Sequence, residues 1–167
     1  QTARGLQALH EATIKDQHIG VIHRDLKPAN ILLGTQGQAK IADYGITRFA
    51  ADFYRTAGVE EIRGSPLYMS PEQARGEQPS QASDVFSYGV VILSLLVGHP
   101  IFEARTLDAV LRRVQDAEVG PALSLGRQRA ARLVDVLQVC LEHHPDARYP
   151  NATALMTLAF TGDVDRV

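Results

Sequence analysis

The stretch His23-Arg24-Asp25-Leu26-Lys27-Pro28-Ala29-Asn30 sets an acid, a cation and an amide at fixed offsets, just ahead of the apolar run Ile31-Leu32-Leu33. Thirteen residues beyond Asn30 stands a second acid, in Asp43-Tyr44-Gly45. Together they supply a proton acceptor, a cation able to face phosphate and two oxygen donors of the kind magnesium takes, the inventory of phosphoryl transfer. Asn and Asp also favour turns, so either alone reads equally well as a turn residue. The joint spacing is what points to chemistry.

Outward from that stretch, 167 residues at 45% apolar content bury one ordinary core and read as one domain. A net charge of −2 with both signs scattered gives no footprint for a nucleic-acid polymer or an anionic membrane. Cys140 is the only cysteine, so no internal disulfide forms, and an intracellular, cytoplasmic setting is the expectation. No signal peptide is visible. The longest apolar run, Tyr88 to Val97, is too short for a membrane segment and reads as a buried helix.

Leu6, Leu9, His10 and Thr13 fall at helical spacing, so residues 1–12 read as a helix. Ile31–Leu33 and Ala39–Ala42 read as two short strands around the turn Gly34-Thr35-Gln36-Gly37. Residues 46–63 show no sustained period and read as a loop. Asp84–Val97 is apolar nearly all round, the mark of a central helix. Leu107, Val110, Leu111 and Val114 make one amphipathic helix, and Leu133, Val136, Leu137, Cys140 and Leu141 another. Asn151 is placed to cap a last helix through Phe160. The expected fold is mainly α, a helical lobe with a small β-hairpin at one edge.

His23–Asn30, followed by Asp43-Tyr44-Gly45, resembles the catalytic loop and metal-binding segment of the protein kinase superfamily. The resemblance covers nearly the whole chain and corresponds to the C-terminal lobe of a Ser/Thr protein kinase domain. It implies ATP and Mg2+ as cofactors and a protein as substrate. The N-terminal lobe, with its Gly-rich phosphate loop, strand lysine and partner glutamate, is expected upstream of Gln1. No Gly-x-Gly-x-x-Gly run occurs within the chain. Truncation, further domains in the full-length protein and negligible transfer by this lobe alone are the matching expectations. Against most kinases, Glu11 to Ile19 adds an extra turn or two, helical or looped.

By resemblance Asp25 is the catalytic base and Lys27 the cation near the transferring phosphate, with lysine rather than an Ala-Arg arrangement favouring Ser/Thr specificity. The plainer alternative for Asp25 is a loop carboxylate in a structural hydrogen bond. Asn30 and Asp43 become the magnesium ligands, and Leu32 joins the apolar floor beneath adenine, though an ordinary core leucine would look identical. Tyr44 stands where the family usually has phenylalanine, before Gly45. The string Ala39–Ile46 resembles the Roco kinases, while Gly64-Ser65-Pro66-Leu67-Tyr68-Met69-Ser70-Pro71-Glu72 resembles Ser/Thr kinases in general.

Ser65 occupies the position of a hydroxyl that bonds the catalytic aspartate and lysine. Glu72 is expected to pair with Arg148, the alternative being two unrelated surface charges. Asp84 is expected to cap its helix and to hold the backbone of His23 and Arg24. Arg24 beside the catalytic acid marks kinases whose activation loop is ordered by phosphate–arginine pairing. Glu61, after Glu60, stands where many relatives are phosphorylated and would substitute for phosphate, unless both are solvated loop charges. Tyr54 and Thr56 are alternative phosphosites. His143 and His144 have no cysteine or carboxylate at ligand spacing. The competing function class is a non-catalytic, pseudokinase-type scaffold, for which Asp25, Lys27, Asn30 and Asp43 together would be superfluous. A small-molecule kinase of related fold is a third reading, opposed by the peptide-docking character of residues 67–72.

Overall fold

A helix that is apolar on nearly every side needs neighbours on most sides, and the run through Tyr88–Val97 finds them everywhere but at Leu95, which is exposed. In the computed structural model, which describes residues 1–15, 17–43 and 66–160, the order is α1 (Thr2–His10), β1 (Thr13–Ile14), β2 (Gln17–His18), β3 (Ile31–Leu33), β4 (Ala39–Ile41), α2 (Pro71–Ala74), α3 (Gln81–Val97), α4 (Leu107–Gln115), α5 (Gly120–Cys140) and α6 (Ala152–Phe160). Helix α3 lies at the centre. Phe86, Val90, Leu93 and Val97 face one cluster with Phe102, Val110, Val114, Leu137 and Leu141. Val85 and Tyr88 face a second with Leu6, Leu26, Cys140, Tyr149 and Leu155. Two cores flank one helix, which is why it carries no polar stripe. The fold is mainly α with a β3–β4 hairpin, as the sequence implied, and among the described residues no helix is long and apolar enough to cross a membrane.

Helix α3 starts three residues before Asp84. Ser80 precedes it and its N–H donates to Ser83 Oγ at 2.9 Å. Asp84 therefore lies one turn inside rather than at the cap, which corrects the capping part of the expectation. The helix ends at Gly98, whose φ of 92° is left-handed and whose N–H reaches Ser94 O at 2.8 Å. At the other end of the chain Asn151 Oδ1 accepts from Ala154 N at 2.9 Å, the expected cap of α6.

The first half of α5 left no sign in the sequence. That half buries Ala122 and Gly126, side chains too small to mark a hydrophobic period. The helix is interrupted at Ala130 (φ −153°, ψ 75°), and the half after it is the amphipathic segment that Leu133–Leu141 announced. The segment after α1 is an antiparallel hairpin, β1 on β2, with Thr13 opposite His18 and Ile14 opposite Gln17. Strands β3 and β4 pair Ile31 with Ile41, Leu32 with Lys40 and Leu33 with Ala39. Ile41 packs onto the second core and beside Gly5, so β4 of this hairpin is seated against α1.

Helices α3 and α5 cross at Gly89, where an added Cβ would lie 3.0 Å from Cys140 Cβ and from Leu141 Cγ and Cδ2. The Cys140 thiol is sealed there, and burial pushes its pKa up to about 12. Gly89→Ala is expected to destabilise the fold by about 1–3 kcal/mol. At Gly120 an added Cβ meets nothing within 4 Å, so Gly120→Ala should leave stability unchanged or raised. Urea unfolding followed by circular dichroism measures both; equal midpoints for the two variants would contradict the close crossing.

Candidate active site

The loop between β2 and β3 turns at Arg24, a non-glycine residue at φ 69°. The left-handed region costs an L residue roughly 1–2 kcal/mol, so the surroundings must hold it. Asp84, 1% exposed, provides the grip. Its Oδ2 accepts from His23 N at 2.7 Å and its Oδ1 from Arg24 N at 2.8 Å. His10 Nε2 lies 3.0 Å from the same Oδ2. His10 Nδ1 accepts the Ala152 N–H at 3.0 Å, so the ring hydrogen sits on Nε2 and goes to Asp84. The expected hold of Asp84 on the His23–Arg24 backbone is thus present.

His23 is fully buried and faces the other way. Its Nε2 donates to Ala42 O at 3.1 Å, while its Nδ1 accepts from Asp25 N at 3.3 Å. Ala42 N in turn donates to Asn30 O at 2.9 Å. These bonds tie the end of β4, and with it the Asp43 backbone, to the loop that carries Asp25 and Asn30. Asp43 follows directly, exposed and at φ 58°.

A 3-10 turn over Pro28–Asn30, opened by Pro28, brings Asn30 back over Asp25. Asn30 Nδ2 donates to Asp25 O at 2.9 Å and Asp25 Oδ2 at 3.3 Å. Lys27 Nζ donates to the same Oδ2 at 2.7 Å. One carboxylate oxygen of Asp25 is thereby held by two donors. The other, Oδ1, has no partner among the described residues, nor has Asn30 Oδ1. The Asp25 side chain remains 26% exposed. Asp25, Lys27 and Asn30 are in direct contact, and Asp43 is joined to them through the Ala42–Asn30 bond. Free amide and carboxylate oxygens suit magnesium, which takes few protein ligands beside phosphate and water.

Leu32 lies on the outer side of the hairpin, opposite Lys40 and 56% exposed, rather than in the core. Tyr44, Gly45, Tyr54, Thr56, Glu60, Glu61 and Ser65 lie outside the described residues.

Glu72 and Arg148 form a buried two-pronged pair, Nη1 to Oε1 at 2.8 Å and Nη2 to Oε2 at 3.0 Å. Every other guanidinium hydrogen is met too. Nε donates to Glu142 O at 2.6 Å, Nη2 to His143 O at 2.7 Å and Nη1 to Ala82 O at 3.3 Å. The guanidinium stacks 4.7 Å above the Phe86 ring, and Ser83 Oγ donates to Glu72 Oε1 at 2.7 Å. Burial opposes the Glu72 charge, but the bonds from Arg148 and Ser83 overcome it and bring its pKa down to about 2.

Two participants escaped the sequence reading. His10 shows only as a polar residue on the buried side of α1, at positions 3, 6 and 10. Gln73 shows as the last residue of Ser70-Pro71-Glu72-Gln73, the spacing of a capping box. Both had local signals, and neither signal named its distant partner.

The sequence profile of the protein kinase domain matches residues 1–160. The chain belongs to the protein kinase family. It is similar to the tyrosine-protein kinase MasK of Myxococcus xanthus, 35% identical over 154 residues, covering 91% of this chain and 24% of that protein. It is also similar to a probable serine/threonine-protein kinase of Corynebacterium efficiens, 38% identical over 156 residues, covering 90% and 22%. A putative leucine-rich repeat receptor-like serine/threonine-protein kinase of Arabidopsis thaliana is 36% identical over 172 residues, covering 94% and 18%. The chain thus spans a quarter or less of the length of these relatives. Members of the kinase family use ATP and Mg2+ and act as transferases.

The Glu72–Arg148 pair predicts two outcomes. Glu72→Ala and Arg148→Ala should each cost about 3–5 kcal/mol, because each strands the other charge. The double variant should cost clearly less than their sum; additive losses would exclude the pair. Because the Glu72 pKa falls from the ordinary 4.5 to about 2 on folding, its contribution is complete above pH 4.5 and fades as pH drops toward 2. The amount is on the order of 3 kcal/mol. A Glu72→Gln variant should lack that segment of the pH–stability curve.

Proposed function

We propose that this chain is the catalytic lobe of a serine/threonine protein kinase, transferring the γ-phosphoryl group of ATP to a protein hydroxyl. The observation that carries the reading is the asymmetric Asp25 carboxylate, with Oδ2 held by Lys27 and Asn30 and Oδ1 without a partner among the described residues. An open, oriented oxygen is what a base needs to align a substrate hydroxyl and take its proton as the bond to phosphorus forms.

Lys27 holds the base and brings positive charge to where the transferring group would pass. Asn30 turns its nitrogen toward Asp25, which leaves the amide oxygen for a metal, and Asp43, the residue after the Ala42 that bonds Asn30 O, offers a full carboxylate. Magnesium, when bound, would offset charge on the phosphate oxygens. Leu32, exposed on the hairpin, is suited to lie beneath a purine. Lysine two residues after the base favours serine and threonine. Two of the three relatives above are named serine/threonine kinases, while MasK is named a tyrosine kinase.

Asp25→Asn in the full-length protein should lower the transfer rate about 10²–10⁴-fold with little change in melting temperature. Radiolabelled ATP with Mg2+ and phosphoamino-acid analysis of the products provide the measurement. Undiminished transfer in the variant would remove Asp25 from the reaction. Phosphotyrosine as the main product would overturn the serine/threonine assignment.

A further inference from the structure

Gln73 sits directly after Glu72, and its side-chain amide is used at both ends. Oε1 accepts from Ser70 N at 3.1 Å and Ser70 Oγ at 3.1 Å, closing the cap of α2. Nε2 donates to Arg24 O at 2.8 Å, across 49 residues of sequence. The orientation of the amide follows from its partners, since Ser70 N can only donate and Arg24 O can only accept.

Arg24 O belongs to the peptide plane whose nitrogen is that of Asp25. The N–H of Arg24 is already bound to Asp84 Oδ1. With Gln73 on the carbonyl, the left-handed residue is bonded on both sides, and the peptide plane leading into Asp25 is held at its oxygen. The Asp25 N–H is thereby aimed at His23 Nδ1.

We propose that Gln73 is a positioning residue, whose amide nitrogen fixes the Arg24–Asp25 peptide and so the aim of the Asp25 carboxylate. This rests on the kinase function proposed above. The chemistry also accounts for glutamine. Glutamate completes a capping box equally well, but an ionised carboxylate only accepts and has no hydrogen for Arg24 O.

The test uses Gln73→Glu and Gln73→Met in the full-length protein, with three readouts. These are steady-state kinetics, thermal midpoint and hydrogen exchange of the amides of residues 23–25. Gln73→Glu keeps the cap and loses the clamp. Its midpoint should stay near the parent's, exchange at residues 23–25 should speed up, and kcat should fall about ten- to a hundredfold at unchanged KM for ATP. Gln73→Met loses both, so its midpoint should fall as well while kcat falls by a similar factor. Parental kcat in both variants, or unchanged exchange at residues 23–25, would overturn the proposal. A lower midpoint for Gln73→Met with parental kcat would reduce Gln73 to a helix cap and overturn it as well. If the parent shows no transfer sensitive to Asp25→Asn, the kinase function fails instead. Exchange then decides the clamp, acceleration supporting it and its absence ending it.

Discussion

The buried carboxylate of Asp84 is the constraint on which the arrangement depends. A charge taken out of water is stable only when hydrogen bonds replace its hydration. Here the donors are His10 Nε2 and the backbone nitrogens of His23 and Arg24. Because two donors are main-chain groups, meeting the charge dictates backbone conformation, including the left-handed turn at Arg24. Because the third is a side chain of α1 whose ring also accepts from Ala152, the same charge fixes where α1 and α6 meet α3. One ionised group thus sets the loop that carries Asp25 and the helices that enclose it.

Asp84 works beside a second ionic centre. Ser83 and Asp84 are consecutive on α3, yet Ser83 bonds Glu72 while Asp84 bonds the loop. Glu72 and Gln73 are consecutive on α2, one reaching Arg148 and Ser83, the other Arg24 O. The contacts close a circuit from Arg24 to α3, from α3 to α2, and from α2 back to Arg24. In a closed circuit, displacement of one member stretches bonds at the others, so the loop and α2 hold one another. Two short polar pairs achieve this because a helix turns successive side chains to different sides.

What the sequence disclosed follows from what kind of signal each feature leaves. The acid, cation and amide of the Asp25–Asn30 loop are rare together at that spacing, so their grouping was legible, and so was the link from Glu72 to Arg148 once the resemblance supplied it. The central helix was legible because few sequences hold an apolar run with no polar stripe. The first half of α5 was not, since Ala122 and Gly126 secure close approach by lacking bulk. The β1–β2 hairpin has strands of two residues, too short for an alternation to register. The start of α3 was misplaced because aspartate is a common cap, while here the Ser80–Ser83 bond performs that task and leaves Asp84 for the loop. Gln73 and His10 were missed for a common reason: each has an adequate local explanation, and its second contact lies 49 or more residues away.

That pattern bears on how the site obtains its geometry. Among the described residues Asp25 makes its side-chain contacts within its own loop, to Lys27 and Asn30, which is why those residues were visible as a motif. The loop itself is shaped through main-chain atoms of His23, Arg24, Asn30 and Ala42, held by side chains from α2 and α3 and by the His23 ring. A main-chain atom has the same chemistry whatever residue bears it, so it leaves no mark in the sequence. The groups suited to the chemistry are therefore spelled out in the motif, and the orientation of their peptide planes is written at distant positions such as Asp84 and Gln73. Preorganisation of this kind draws its rigidity from buried and part-buried hydrogen bonds to the main chain. Asp25 Oδ1, without a partner among the described residues, can then sit at a surface without losing its aim.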